Sequence, residues 1–169
     1  ELGPAAILQL QAFPETASAL GEALARRLPV PEGHGRFVEA GGTILVAAAP
    51  GRFIVVGKVS PGEAAAAELG PERVAATALS HARAGFRLSG PHAAAVLQKG
   101  VALDLDPAAF PPGRAALTQI GHMTSLLLRR DAVTFDVHVT SSFGAAFAHF
   151  VLDAATPEGW VVAPDGESA

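Results

Sequence analysis

Asp136 and His138 stand two apart in Phe135-Asp-Val-His-Val139. Side chains two apart on an extended strand share a face, so this pair could give two ligands to a metal ion. Metal sites usually draw on further donors close by on one element. The other histidines (His34, His81, His92, His122 and His149) are scattered. A solvated strand face is therefore the simpler reading of Asp136 and His138, and no metal site is expected. Asp104 and Asp106 are also two apart, with Pro107 behind them. Such carboxylates could do general acid–base work or hold a cation. Asp before Pro is also a common start to a loop, and the turn reading is preferred. Ser141-Ser142 has no evident base in the sequence and reads as a helix cap. His92 falls in the first turn of a short helix, where the dipole mildly opposes a protonated imidazole, and a structural role is the simpler one.

No Gly-x-Gly-x-x-Gly follows a strand. Gly33-His34-Gly35 lacks the third glycine and the helix that would receive a pyrophosphate. A phosphate-cradling lysine loop and the Gly-x-Ser-x-Gly elbow are absent too. Zero cysteines remove disulfides, thiol nucleophiles and cysteine metal sites together. No catalytic residue is assigned on these grounds. Two residues are candidate partner contacts. Trp160 is the only tryptophan and could anchor in a partner's pocket or fold back on the core. His149 lies off the apolar stripe of its helix and faces solvent or a partner.

The bulk numbers narrow the partners. The net charge is −4 and the only lysines are Lys58 and Lys99. Without a basic stripe, neither nucleic acid nor an anionic membrane is expected to bind. No apolar run reaches the ~18 residues of a spanning helix, and no Lys/Arg-led apolar segment opens the sequence, so a cytoplasmic protein is expected. Mean hydropathy is +0.35 with 17% charged residues. That calls for a generous core or an apolar surface that meets a partner.

The elements that must position these residues read as two similar passes. Residues 5–13 form a strand, and Pro14-Glu15-Thr16 opens a helix with Leu20, Leu24 and Leu28 on one stripe. Glu22 and Arg26 sit four apart on another face of it. Strands follow at 37–39, 43–48 and 53–56, and then a helix from Ser60, a candidate cap, with Pro61 in the first turn. The second pass has a strand at 85–88, a short helix from Gly90-Pro91 to Gly100, and strands at 115–120, 123–128 and 133–139. A last helix follows, with Phe143, Phe147, Phe150 and Val151 on one side; Phe143, Phe147 and Phe150 should pack within the chain. Residues 74–79 are Ala-rich and could continue a helix, but the reading as an extra strand is preferred, because Gly70-Pro71 should end the helix before them. The fold class is α+β: two pseudo-repeated strand–helix–three strands–helix units with antiparallel sheets. The domain covers residues 1–157, with subdomains of about 1–71 and 72–157, and residues 158–169 form a mobile tail.

Several motifs occur in a recognisable order: Leu79-Ser-His-Ala-Arg83, Leu88-Ser-Gly-Pro-His-Ala93, Leu97-Gln-Lys-Gly100, Leu103-Asp-Leu-Asp-Pro107, Phe110-Pro-Pro-Gly113, Gly121-His122 and Thr134-Phe-Asp136. The stretch from about residue 74 to 155 resembles the gamma subunit of heterotetrameric sarcosine oxidase. The resemblance implies a fold like the folate-binding domain of glycine-cleavage aminomethyltransferase. It also implies an accessory, non-catalytic role in a complex that oxidatively demethylates sarcosine to glycine, with alpha, beta and delta subunits as partners. Flavins, NAD and tetrahydrofolate would then be held by those partners, with no cofactor in this chain. Val101 departs from the family pattern, which often has Cys there, and Ser141 to Phe147 lacks the family's arginine and tryptophan. The alternative is a stand-alone tetrahydrofolate-binding domain, in which Asp104, Asp106 or Asp136 would bind the pterin's amino-pyrimidine edge.

Overall fold

The computed structural model describes residues 5–162. They divide into two compact units, Ala5–Ser80 and the chain from His81 onward. The first unit holds β1 (Ile7–Ala12), a 3₁₀ turn (Pro14–Thr16), α1 (Ala17–Ala25), β2 (Arg36–Ala40), β3 (Thr43–Ala49), β4 (Arg52–Gly57), α2 (Ser60–Leu69) and β5 (Val74–Ala78). Its strands pair antiparallel in the order β2-β3-β4-β1-β5. Strand alternation sends Leu8 and Leu10 of β1, Leu45 of β3, and Phe53 and Val55 of β4 to one face. Leu20, Ala23 and Leu24 of α1 and Ala65 of α2 join them in the first core. Leu28 packs against that core beyond the end of α1. Arg26, also past the helix, pairs with Glu68 of α2 and not with Glu22; Arg27 reaches the same carboxylate at 2.8 Å. Gly57 closes the sheet at a φ of 90°, where a Cβ would lie 2.4 Å from the Gly42 carbonyl oxygen. Only glycine fits there.

The second unit holds β6 (Arg83–Ser89), α3 (Ala93–Gln98), β7 (Ala115–Ile120), β8 (Met123–Arg129), β9 (Thr134–Thr140), a 3₁₀ turn (Ser141–Phe143), α4 (Gly144–Ala155) and a final 3₁₀ turn (Thr156–Glu158). The sheet order is β6-β9-β8-β7, again antiparallel. With β6 taken as the counterpart of β1, the orders β7-β8-β9-β6 and β2-β3-β4-β1 are the same. The α+β architecture of two strand–helix–three strands–helix units is therefore the observed fold. β5 is the extra strand, and it belongs to the first unit because it pairs with β1. The second core gathers Leu97, Ile120, Leu127, Phe135, Val137, Val139 and Phe147. Phe147 meets Phe86 at 4.9 Å and Phe150 at 6.3 Å between ring centroids.

Three local expectations are corrected. Ser60 makes no side-chain cap; it is the first residue of α2. The Val59 carbonyl accepts from Gly62 and Glu63 N–H, and Pro61 has no N–H to satisfy. Neither Ser141 nor Ser142 caps α4, because a tight 3₁₀ turn carries the chain into it, with Gly144 N–H donating to the Ser141 carbonyl. That turn also moves Phe143 off the α4 stripe. Its three residues per turn break the 3.6-residue phase, and Phe143 is 43% exposed. Phe147 is buried, and Phe150 and Val151 pack on the core as expected. Of the expected tail, Glu158 ends a 3₁₀ turn, residues 159–162 have no regular structure, and residues 163–169 lie outside the described residues.

Candidate functional site

β9 lies between β6 and β8. Its register sets Arg87 and Leu128 opposite Asp136, and Gly85 and Leu126 opposite His138. Asp136 and His138 share a strand face, as their spacing requires, and that face is opposite to the one carrying Phe135, Val137 and Val139. It is not solvated: Asp136 is 1% exposed and His138 3%. The sequence reading is corrected here, and the physical reason is visible in the partners. A buried carboxylate is tolerable only when paired and hydrogen-bonded. Arg87 Nε donates to Asp136 Oδ1 at 2.6 Å and Nη2 to Oδ2 at 2.8 Å, a bidentate fork. Arg130 Nη1 donates to Oδ2 at 3.0 Å.

These contacts decide the chemistry. A carboxylate that accepts three charge-assisted donors is already engaged where a cation would bind. Among the described residues no group of three or more His, Cys, Asp or Glu could hold a metal ion. His138 has its pKa pushed down, first by burial, with the Arg83 and Arg87 charges adding to the effect and Asp136 opposing it. It is a neutral imidazole at pH 7. Burial also lowers the pKa of Arg83. The cluster ties β6, β9 and the β8–β9 turn together.

The other expected residues do not converge on it. Asp104 Oδ1 accepts from Asp106 N–H at 2.9 Å, and Asp106 Oδ1 from Ala108 N–H at 2.8 Å. Both are turn carboxylates, as the preferred reading had it. His34, His81, His122 and His149 are exposed. His92 is the residue before α3, and its Nδ1 lies 3.4 Å from Glu158. Lys99 Nζ donates to the Ala154 carbonyl at 2.5 Å. The end of α4 is thus tied to α3 just before Trp160, which is 49% exposed, with Val161 at 91%.

Sequence reasoning missed Arg129. Its side chain is buried, with no carboxylate partner among the described residues. Its guanidinium donates to the carbonyls of Leu105 at 2.8 Å, Phe110 at 2.9 Å, Ala132 at 2.9 Å and Asp131 at 3.2 Å. It also stands 5.0 Å over the Phe135 ring. Strand parity was the available signal, since Arg129 shares the face of Leu127.

The chain was compared with known proteins. No family model matches it. A sarcosine oxidase subunit gamma of an Arthrobacter species is 32% identical over 92% of this chain and 78% of its own length. The subunit of the same name from Corynebacterium sp. strain U-96 is 28% identical over 87% and 73%. Among solved structures, a chain of heterotetrameric sarcosine oxidase from Corynebacterium sp. U-96 superposes with a TM-score of 0.81 at 27% identity, covering 96% of this chain and 86% of that one. Glycine cleavage system aminomethyltransferase T of Bartonella henselae superposes at a TM-score of 0.60 and 20% identity, over 89% of this chain and 44% of that one. This second likeness concerns the fold alone. Identity at this level along nearly the whole chain, together with the doubled sheet order, shows that the chain belongs to the sarcosine oxidase subunit gamma family.

Proposed function

We propose that this protein is the accessory, non-catalytic gamma subunit of a cytoplasmic heterotetrameric sarcosine oxidase that oxidatively demethylates sarcosine to glycine. Alpha, beta and delta subunits would complete the assembly and hold the flavins, NAD and tetrahydrofolate. The observation that carries this reading is the superposition over 96% of the chain on a chain of a heterotetrameric sarcosine oxidase. The state of the acids supports it. Asp136 is buried and clamped by arginines, and Asp104 and Asp106 each give one carboxylate oxygen to a turn N–H. Among the described residues, no helix is long and apolar enough to cross a membrane.

Such a subunit contributes surface. A stable interface buries on the order of 1,200 to 2,000 Å², and Trp160 and His149 are proposed contacts within it. Co-purification from the native host tests the proposal. The chain should elute with a flavoprotein at low salt. Elution alone under those conditions, with no flavin absorbance in its fractions, would refute it.

A further inference from the structure

The first sheet ends at β5, which pairs only with β1 among the described residues. Two bonds fix which of its backbone groups face β1. Leu79 N–H donates to the Ile7 carbonyl at 2.8 Å, and Phe13 N–H donates to the Arg73 carbonyl at 3.3 Å. Hydrogen-bonded pairs alternate along an antiparallel ladder. Ala75 and Thr77 therefore turn both backbone groups to β1, and Ala76 and Ala78 turn theirs outward. Val74 also faces out, but its N–H already donates to the Gly70 carbonyl. Ala75, Ala76, Thr77 and Ala78 are all exposed.

Sheets normally guard an open edge with charge, a bulge or a cover. β2 carries Arg36 and Glu39, and β6 carries Arg83 and Arg87. The end of β7 is covered by a bridge from Val101 to Ile120. β5 has no charged residue, no proline, no register shift and no cover among the described residues. Outward N–H and C=O groups two residues apart match one kind of ligand, an extended backbone that adds as a strand. The faces specify its side chains. Ala76 and Ala78 stand opposite Leu10 and Leu8 on the core side, and Ala75 and Thr77 stand opposite Gln11 and Gln9.

We propose that the β5 edge receives an extended, uncharged segment of a partner subunit, with large apolar side chains on the Leu8–Leu10 side and small polar ones on the other. This rests on the accessory-subunit reading. A second copy of β5 fits less well. Two alanine strands edge to edge would bury little side-chain area against the roughly 1,200 Å² that a stable association needs. The alanines leave room beside β5 for larger residues from a partner.

Hydrogen exchange on the full chain, alone and in the purified complex, tests the proposal. The chain alone should be monomeric by light scattering, with fast exchange at Ala76 and Ala78. In the complex both amides should slow at least tenfold. Ala76→Pro removes an outward N–H without touching the β1 ladder and should weaken assembly at least tenfold, whereas Ala76→Val, which keeps the N–H, should not. If the proline variant is poorly folded, the exchange comparison and Ala76→Val still decide. Protection already present in the monomer, or arising with dimerisation of this chain, would overturn the inference. So would a complex that forms while both amides exchange as fast as in the free chain, and that result would leave the subunit reading intact. Failure to find any complex would remove both.

Discussion

Replacing Asp136 by asparagine keeps the shape of the side chain and deletes the charge at the centre of the arginine clamp. The carboxylate accepts from Arg87 at 2.6 and 2.8 Å and from Arg130 at 3.0 Å. Asparagine offers a single acceptor oxygen and turns its NH₂ toward a guanidinium donor. Hydrogen bonds to charged groups contribute about 1.5–3 kcal/mol each, and breaking a buried pair costs about 3–5 kcal/mol. Both figures need discounting, because the Arg87 side chain is 40% exposed and that of Arg130 21%, so both cations recover water. We expect a net loss of about 2–3 kcal/mol. At roughly 2–4 °C per kcal/mol for a domain of this size, the thermal midpoint should fall by about 4–12 °C. Urea unfolding of the full chain gives the free energy, and a double-mutant cycle with Arg87→Met isolates the pair. An Asp136→Asn variant within about 0.5 kcal/mol of the parent, or a cycle with no coupling, would refute the view that this clamp holds β6 to β9.

His138 makes stability depend on pH. Its folded-state pKa lies below the ordinary 6.5, so the unfolded chain binds the extra proton. The contribution is whole above about pH 6.5 and is lost as pH falls through the folded value. His138→Gln should flatten the stability profile below pH 6.5 relative to the parent, and parallel profiles would contradict the assignment. Phe147→Ala removes a fully buried ring and should cost about 3–5 kcal/mol in chemical denaturation of the full chain; a loss under about 1 kcal/mol would mean that the ring is not central to the second core. Trp160→Ala should weaken assembly in pull-down titrations and leave the thermal midpoint of the isolated chain unchanged, whereas a fall in the midpoint with assembly intact would place the indole in the fold.

Much of this architecture could be read from residue order. Turn glycines and prolines bracketed β2, β3 and β7, and Leu20 and Leu24, like Phe147 and Phe150, marked the buried sides of their helices. The repeat was visible because both halves run strand, helix, three strands, helix. The clamp was not legible. Polar residues at every second position of Phe135-Asp-Val-His-Val139 look the same whether water or an arginine faces them. Only the cross-strand register puts Arg87 beside Asp136, and register is a long-range property. Phe143 misled for a local reason, since a 3₁₀ turn cannot be told from the first turn of an α-helix by apolar spacing. Arg129 was hidden by its type, because an always-charged residue is seldom assigned to a core.

Arg129 also governs how the stretch between α3 and β7 moves. That stretch has no helix or strand of its own, only turns, bends and single bridge residues. Yet the Leu105 and Phe110 carbonyls are what solvate a cation sealed beneath them. Lifting the stretch would take away two of the four carbonyls that hold the guanidinium and would open the apolar core around the Phe135 ring to water. Local detachment therefore costs more than the loss of the turns alone, since hydrogen bonds to a charged group contribute about 1.5–3 kcal/mol each. An irregular segment inherits the lifetime of the sheet beneath it, and proteases should find it closed for as long as β8 stays in place.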